Sequence, residues 1–151
     1  MNLSVSTILR IPSTVAWDTL LRKDTFLFIT RGAMRYSGAQ DWPDRLMETG
    51  VEIETTAWPL SIPPGNNHTF KIVNVDSEKM LIQTEEYGGL IKGWNHTMTV
   101  VPITGTTCRY TDQVEIHAGI VTPVVWVLAN LFYRFRQSRW RTLAMTLGYN
   151  K

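Results

Sequence analysis

From Thr49 to His117 the apolar residues recur at every second position. The gaps in that pattern are too short for the crossover helix, about a dozen residues or more, that parallel strand pairing needs. The alternating segments are Val51 to Trp58, Thr69 to Val75, Lys79 to Tyr87, Gly93 to Val101 and Thr106 to His117, all rich in β-branched residues. Between them stand Pro63-Pro64-Gly65-Asn66-Asn67, Asp76-Ser77-Glu78, Gly88-Gly89 and Thr104-Gly105, each a turn-forming sequence. The pattern predicts an antiparallel meander of hairpins.

The flanks add one strand and the helices. Residues 3 to 9 alternate and read as a first strand; a basic opening and a long apolar run are both missing there, so a signal peptide is not expected. Pro12 and Ser13 open a helical stretch to about Thr30, read as one short helix or a broken pair, with Val15, Ala16, Leu20 and Leu21 at helical spacing. Arg31 to Leu46 carries Gly32, Gly38 and Pro43 and reads as a loop with room for a short strand. The last element is a long helix, with Thr122 as N-cap and Pro123 at its first position, running to about Leu147. Its first half, PVVWVLANLFY, is apolar nearly all round and too short to span a bilayer, which takes about 20 residues, so the expectation is a buried helix. A curved sheet of six or seven strands wrapped around that helix is an α+β arrangement. No repeat or linker divides residues 1 to 151, and a single domain is expected.

Charge and motif content narrow the function classes. The net charge of +2 is unevenly placed, because no acidic residue follows Glu115 while Arg134, Arg136, Arg139, Arg141 and Lys151 do. These cations sit in the last turns of a helix, where the dipole favours them, and they do not form one stripe, so nucleic-acid binding is not expected. Dinucleotide, P-loop and zincin motifs are missing, and no cofactor is expected. The three histidines, His68, His96 and His117, lie on separate segments beside a lone Cys108, which leaves a metal site unsupported. The lone thiol fits a reducing compartment, and a cytoplasmic location is the expectation. Without a secretory signal, Asn67-His68-Thr69 and Asn95-His96-Thr97 read as chance matches to a glycosylation pattern.

The hairpin from Gly93 to His117 gives the sharpest residue-level reading. If Ile103-Thr104-Gly105 is a three-residue loop with Gly105 in the left-handed region, Pro102 faces Thr106 and His96 faces Asp112. Trp94 then faces Val114, Met98 faces Tyr110, and Val100 faces Cys108 on one largely apolar face, while Asn95, Thr97, Thr99, Arg109, Thr111, Gln113 and Glu115 take the other. A histidine and an aspartate on the inward face must pair with each other or with a ligand. As a pair they serve structure, position a ligand, or, with His96 as base, move a proton. Glu86 falls on the same inward face of its own strand, either near a cavity mouth or as a solvated strand end. Trp58, Trp94, Trp126, Phe132, Tyr110 and Tyr133 are candidates for an aromatic pocket or for plain core.

The order of strand, short helices, antiparallel meander and long C-terminal helix resembles the START-like, or SRPBCC, superfamily of helix-grip proteins over essentially the whole chain. Val15-Ala16-Trp17-Asp18 after a proline looks like its first helix. Trp94-x-His96, Gly105-Thr106 and Asp112-x-Val114 look like paired strands of bacterial subfamilies, and Tyr133-Arg134-x-Arg136-Gln137-x-Arg139-Trp140 looks like the end of bacterial members. The superfamily holds lipid-transfer domains and polyketide cyclases or dehydratases. The resemblance therefore implies a ligand cavity between sheet and helix, but no particular ligand. The expected lining is Trp94, His96, Met98, Tyr110, Asp112, Val114, Glu86 and Phe132. The leading functional reading is a binding protein for a hydrophobic small molecule or lipid, without stable membrane insertion. The alternatives are a cyclase or dehydratase-type enzyme and a ligand-free interaction protein.

Overall fold

The computed structural model describes residues 1–148. Strand β1 (Asn2–Leu9) alternates exposed and buried positions along its whole length. The helical stretch is a broken pair, α1 (Ser13–Leu20) and α2 (Lys23–Thr30). The break lies at Leu21 and Arg22, where the Lys23 amide turns aside to the Asp44 carbonyl at 2.8 Å. A short β2 (Met34–Tyr36) and a single 3-10 turn (Ala39–Asp41) follow, and then a segment without regular structure leads to β3 (Glu52–Pro59). The meander continues through β4 (Asn66–Asp76), β5 (Leu81–Gly88), β6 (Ile91–Pro102) and β7 (Cys108–His117). Helix α3 (Thr122–Gly148) closes the chain.

All seven strands form one antiparallel sheet in the order β1-β7-β6-β5-β4-β3-β2, so each hairpin partner is a neighbour in sequence except for β1, which returns to pair with β7. The sheet curls into a half-barrel, and α3 packs against β1, β7 and α2. Its buried stripe is Ala129, Tyr133, Arg136, Gln137, Trp140 and Ala144, the three-and-four spacing of one helix face.

Three expectations about local structure are corrected. The β6–β7 loop is longer than expected: Pro102 pairs with Cys108, and His96 lies opposite Val114, with Asp112 opposite Met98. The turn is closed by Ile103 and Thr104 amides on the Thr107 carbonyl and by a hydroxyl bond between Thr104 and Thr107 at 2.7 Å, and Gly105 is not among the left-handed glycines. The shift is by two residues, so every side chain keeps its expected face. Thr122 is not an N-cap: it already has helical backbone angles, and its hydroxyl accepts from the Ala118 amide and donates to the Gly119 carbonyl, closing the preceding turn. The PVVWVLANLFY half of α3 is not buried all round, since Val124, Val127, Leu128 and Leu131 stand exposed on its outer side.

Candidate functional site

The interior is two apolar clusters with a polar layer between them. The larger gathers Leu9, the inward residues of α1 and α2, Trp42, Leu46 and Met47, and Ile82, Met98, Tyr110 and Trp140. The smaller holds Leu3, Val5, Trp94, Val114, Ile116, Ala129 and Tyr133. Three elements interrupt their apolar run at the same level. Strand β6 places His96 between Trp94 and Met98, β7 places Asp112 between Tyr110 and Val114, and α3 places Arg136 and Gln137 between Tyr133 and Trp140. Buried polar side chains at one depth on three elements must satisfy one another.

They do so around Asp112, which is fully buried. Its Oδ1 accepts from His96 Nε2 at 2.8 Å and from the Tyr110 hydroxyl at 2.7 Å, and its Oδ2 accepts from Gln137 Nε2 at 3.1 Å. The same Gln137 nitrogen donates to the Val5 carbonyl of β1. Arg136 Nη2 lies 3.9 Å from Asp112 Oδ1 and donates to the Tyr110 oxygen at 3.1 Å. His96 and Asp112 are therefore diagonal neighbours across the β6–β7 ladder and hydrogen-bond directly, as a long side chain at that separation allows.

Glu86 forms the second carboxylate of the cluster, on the inward side of β5. Its Oε2 meets His68 Nε2 of β4 at 3.0 Å, its Oε1 accepts from Thr84 at 3.2 Å, and His96 Nδ1 lies 3.8 Å from the same oxygen. Burial pushes the Glu86 carboxyl up, but the bonds and charges of His68 and His96 outweigh it and hold it at about 2. Burial likewise opposes ionisation of Asp112, and the Arg136 charge with the His96 bond keeps it below the usual carboxylate range. For His96 burial opposes the positive charge, yet Asp112 and Glu86 on its two ring nitrogens raise it above the ordinary imidazole value. Burial pushes the Tyr110 and Tyr133 phenols well up, so both stay neutral. Arg136 cannot shed its charge. Two carboxylates thus face two cations when His96 is protonated.

Between this cluster and the segment before β3 lies a void of about 20 Å³, room for about one water molecule. Phe26, Trp42, Phe70, Leu46, Met47 and Ile72 make its apolar wall, and Glu86, His96 and Arg136 its polar wall. Among the described residues Arg136 Nε has no hydrogen-bond partner. The interior is thus far more filled than expected. Of the expected lining residues, Met98, His96 and Glu86 touch the void, whereas Trp94, Tyr110, Asp112, Val114 and Phe132 do not. Tyr110 and Asp112 lie in the layer behind it; Trp94 donates to the Tyr133 oxygen at 3.1 Å, and Phe132 packs on Tyr133. Of the six aromatics that were candidates for a pocket or for plain core, Trp94, Trp126, Phe132 and Tyr133 gather in and against the smaller cluster, and Tyr110 packs on Trp140. Trp58 stacks under Arg35 at the β2–β3 edge, and Trp126 bonds the Asn2 carbonyl. The aromatic wall is built instead by Phe26, Tyr36, Trp42 and Phe70, ring against ring. A larger hollow of about 690 Å³ is lined by residues of β1, β5, β6 and β7, among them the polar Gln83, Glu85, Asn95 and Gln113 together with Thr84, His96 and Val114.

His68, Arg136 and Gln137 are cluster members that sequence reasoning missed. The signal for Arg136 and Gln137 was present, because they fall on the stripe that runs through Ala129, Tyr133, Trp140 and Ala144. No signal marked His68, whose strand begins at Asn66 inside what reads as a turn.

No family model matches the chain, and no curated protein matches it. Solved structures do. A norcoclaurine synthase from Thalictrum flavum, in complex with dopamine and hydroxybenzaldehyde, is 16% identical with a TM-score of 0.71, over 97% of this chain and 87% of that one. A START superfamily protein from Mycobacterium smegmatis is 8% identical with a TM-score of 0.71, over 97% and 98%. An aromatase/cyclase from Streptomyces sp. R1128 is 8% identical with a TM-score of 0.69, over 96% and 93%. At these identities the likeness speaks for the backbone and its topology, and the chain has the START-like helix-grip fold.

Proposed function

We propose that the chain is a small-molecule binding protein whose interior takes a hydrophobic ligand with one polar end. The observation that carries this reading is the two-sided void, where an aromatic wall faces Glu86, His96 and Arg136 and where Arg136 Nε lacks a partner. A buried guanidinium N–H without an acceptor has a use for a ligand oxygen. With His96 protonated the two carboxylates are matched by His96 and Arg136, so a neutral carbonyl or hydroxyl fits there better than a further carboxylate.

A ligand larger than water needs the wall to move outward, and the part suited to that is Trp42 to Met47. This segment has no regular structure and is tied back by the Lys23 amide on the Asp44 carbonyl, the Met47 amide on the Leu21 carbonyl and Lys23 Nζ on the Trp42 carbonyl. A second reading, a helix-grip protein with a filled interior and no ligand, is favoured by the size of the void. The structural neighbours include enzymes and a protein named only for its superfamily, and they do not choose between the two.

Native mass spectrometry of freshly purified protein separates the readings. The binding proposal expects a co-purified mass of small-molecule size, or uptake of an apolar ketone or ester with a change in tryptophan fluorescence as Trp42 moves. A bare chain mass, together with no response to a panel of neutral apolar carbonyl compounds and their carboxylate analogues, overturns it.

A further inference from the structure

Among the described residues nothing covers the outer face of the first half of α3. Val124, Val127, Leu128, Leu131 and Phe135 follow one another at helical spacing and are all exposed, Leu128 at 60% and Leu131 at 62%, and Ile120 just before the helix is 98% exposed. A solvated helix carries polar residues there, as the second half of α3 does with Arg141, Thr142 and Thr146. A contiguous exposed apolar stripe of this kind marks an interaction surface.

Two loops with exposed apolar tips extend it. The Leu60 amide bonds the Ala33 carbonyl, next to Gly32, which lies against the Phe135 ring, so the β3–β4 loop with Leu60 and Ile62 adjoins one end of the stripe. At the other end the Lys92 ammonium lies against Gly119, next to the exposed Ile120, and Lys92 follows the β5–β6 turn with its exposed Leu90. The charges set into this rim are Arg31, Lys92 and Arg134, and no acidic residue occurs after Glu115.

We propose that this face docks on an anionic lipid bilayer, with the α3 stripe and the tips of the two loops entering the interface and the three cations meeting lipid phosphates. The charge pattern selects this occupant. A second copy bound about a two-fold axis would bring these three cations against the same three cations. An exposed apolar stripe with basic residues on its flanks is the arrangement that lies in a headgroup boundary. Among the described residues no helix is long and apolar enough to cross a membrane, so the contact is with one surface of it. The inference is independent of whether the interior takes a ligand.

The test is co-sedimentation with phosphatidylcholine vesicles prepared with and without phosphatidylglycerol, at low and at physiological salt. Retention on the anionic vesicles, falling with salt, is the expected result. Leu128→Ser with Leu131→Ser should weaken it at least tenfold, and Arg134→Glu or Lys92→Glu roughly tenfold each. All four positions are exposed, and circular dichroism verifies that the variants fold; Met145→Ser, exposed on the far half of α3, should leave binding unchanged. No retention on anionic vesicles, or retention that neither the serine nor the glutamate variants reduce, overturns the proposal. So does a concentration-dependent dimer in solution that the two serines dissociate, because a second copy would then cover the face.

Discussion

Replacing Arg136 by methionine tests whether the buried layer is held together by charge. The guanidinium stands 3.9 Å from Asp112 Oδ1, and at an effective dielectric of about 20 that attraction is about 4 kcal/mol. Methionine fills much of the arginine's volume and leaves Asp112 with His96, Tyr110 and Gln137 as donors, so the loss is of the charge and of the bond to Tyr110 rather than of packing. Relief of the arginine's own burial offsets part of it. A buried charge deprived of its partner costs about 3–5 kcal/mol, and the lower end is expected here because three donors remain. Asp112→Asn should cost about as much, since its new amide nitrogen faces Gln137 Nε2, which cannot turn away without releasing the Val5 carbonyl. In the double variant the unpaired charges disappear together. Urea denaturation at pH 6 of the four proteins should therefore give a coupling energy of at least about 2 kcal/mol, with unchanged m-values. Single costs below about 1 kcal/mol that simply add would refute the idea that Arg136 holds the Asp112 charge in place.

The other expectations concern pH, the hairpin turn and the glycines. Glu86 is held at about 2 against an ordinary 4.5, so its contribution, about 3 kcal/mol, is fully present above pH 4.5 and is lost as pH falls toward 2. The raised His96 works in the opposite sense: its contribution is complete below about pH 6.5 and is lost as pH rises through its folded value. Denaturation midpoints across pH 3 to 9 should peak between about 4.5 and 6.5, and His96→Gln should flatten the alkaline side; a decline there that survives the substitution assigns it elsewhere. Gly105 has open space around it and no left-handed backbone, so Gly105→Ala should change stability by less than about 0.5 kcal/mol. Gly88 lies at φ +151° and a Cβ there would collide with the Asn67 carbonyl oxygen, so Gly88→Ala should be clearly destabilising by thermal unfolding.

The sheet was legible because its signal is local. Alternation and turn chemistry name strands and their hairpins, and the absence of room for crossovers leaves antiparallel pairing as the consequence. Register was legible only to within the turn. Gly105 looked like the residue that closes it, but two threonine hydroxyls close it instead, and the loop is two residues longer. The inward face survived that error because period two is preserved by an even shift. His96 and Asp112 still meet for the same reason, diagonally rather than face to face. Most of the wall of the void was beyond sequence reasoning. Trp42, Leu46 and Met47 lie in a stretch with neither helical nor strand period, and nothing local says that they fold back onto Phe26 and Phe70.

Helix α3 shows the harder limit. PVVWVLANLFY reads as buried because an apolar sequence is cheapest when covered, and the inference assumes that the chain itself supplies the cover. Here β1, β7 and α2 cover one side, and Ala129 and Tyr133 lie on it, while Leu128 and Leu131, their neighbours in sequence, face outward. Composition cannot separate these cases, because the residues of both faces are equally apolar. The charges can. A helix covered on all sides by its own protein has no reason to be flanked by Arg134 and Lys92 with no acidic residue after Glu115, whereas a face that is completed by an anionic surface has that reason. The same asymmetry that first looked like a helix dipole effect thus divides on inspection of the fold. Arg136 is turned inward to balance Asp112, Arg139 lies on the Phe28 ring and bonds the Phe28 carbonyl, Arg141 reaches Thr7, and Arg134 is left facing outward beside the apolar stripe.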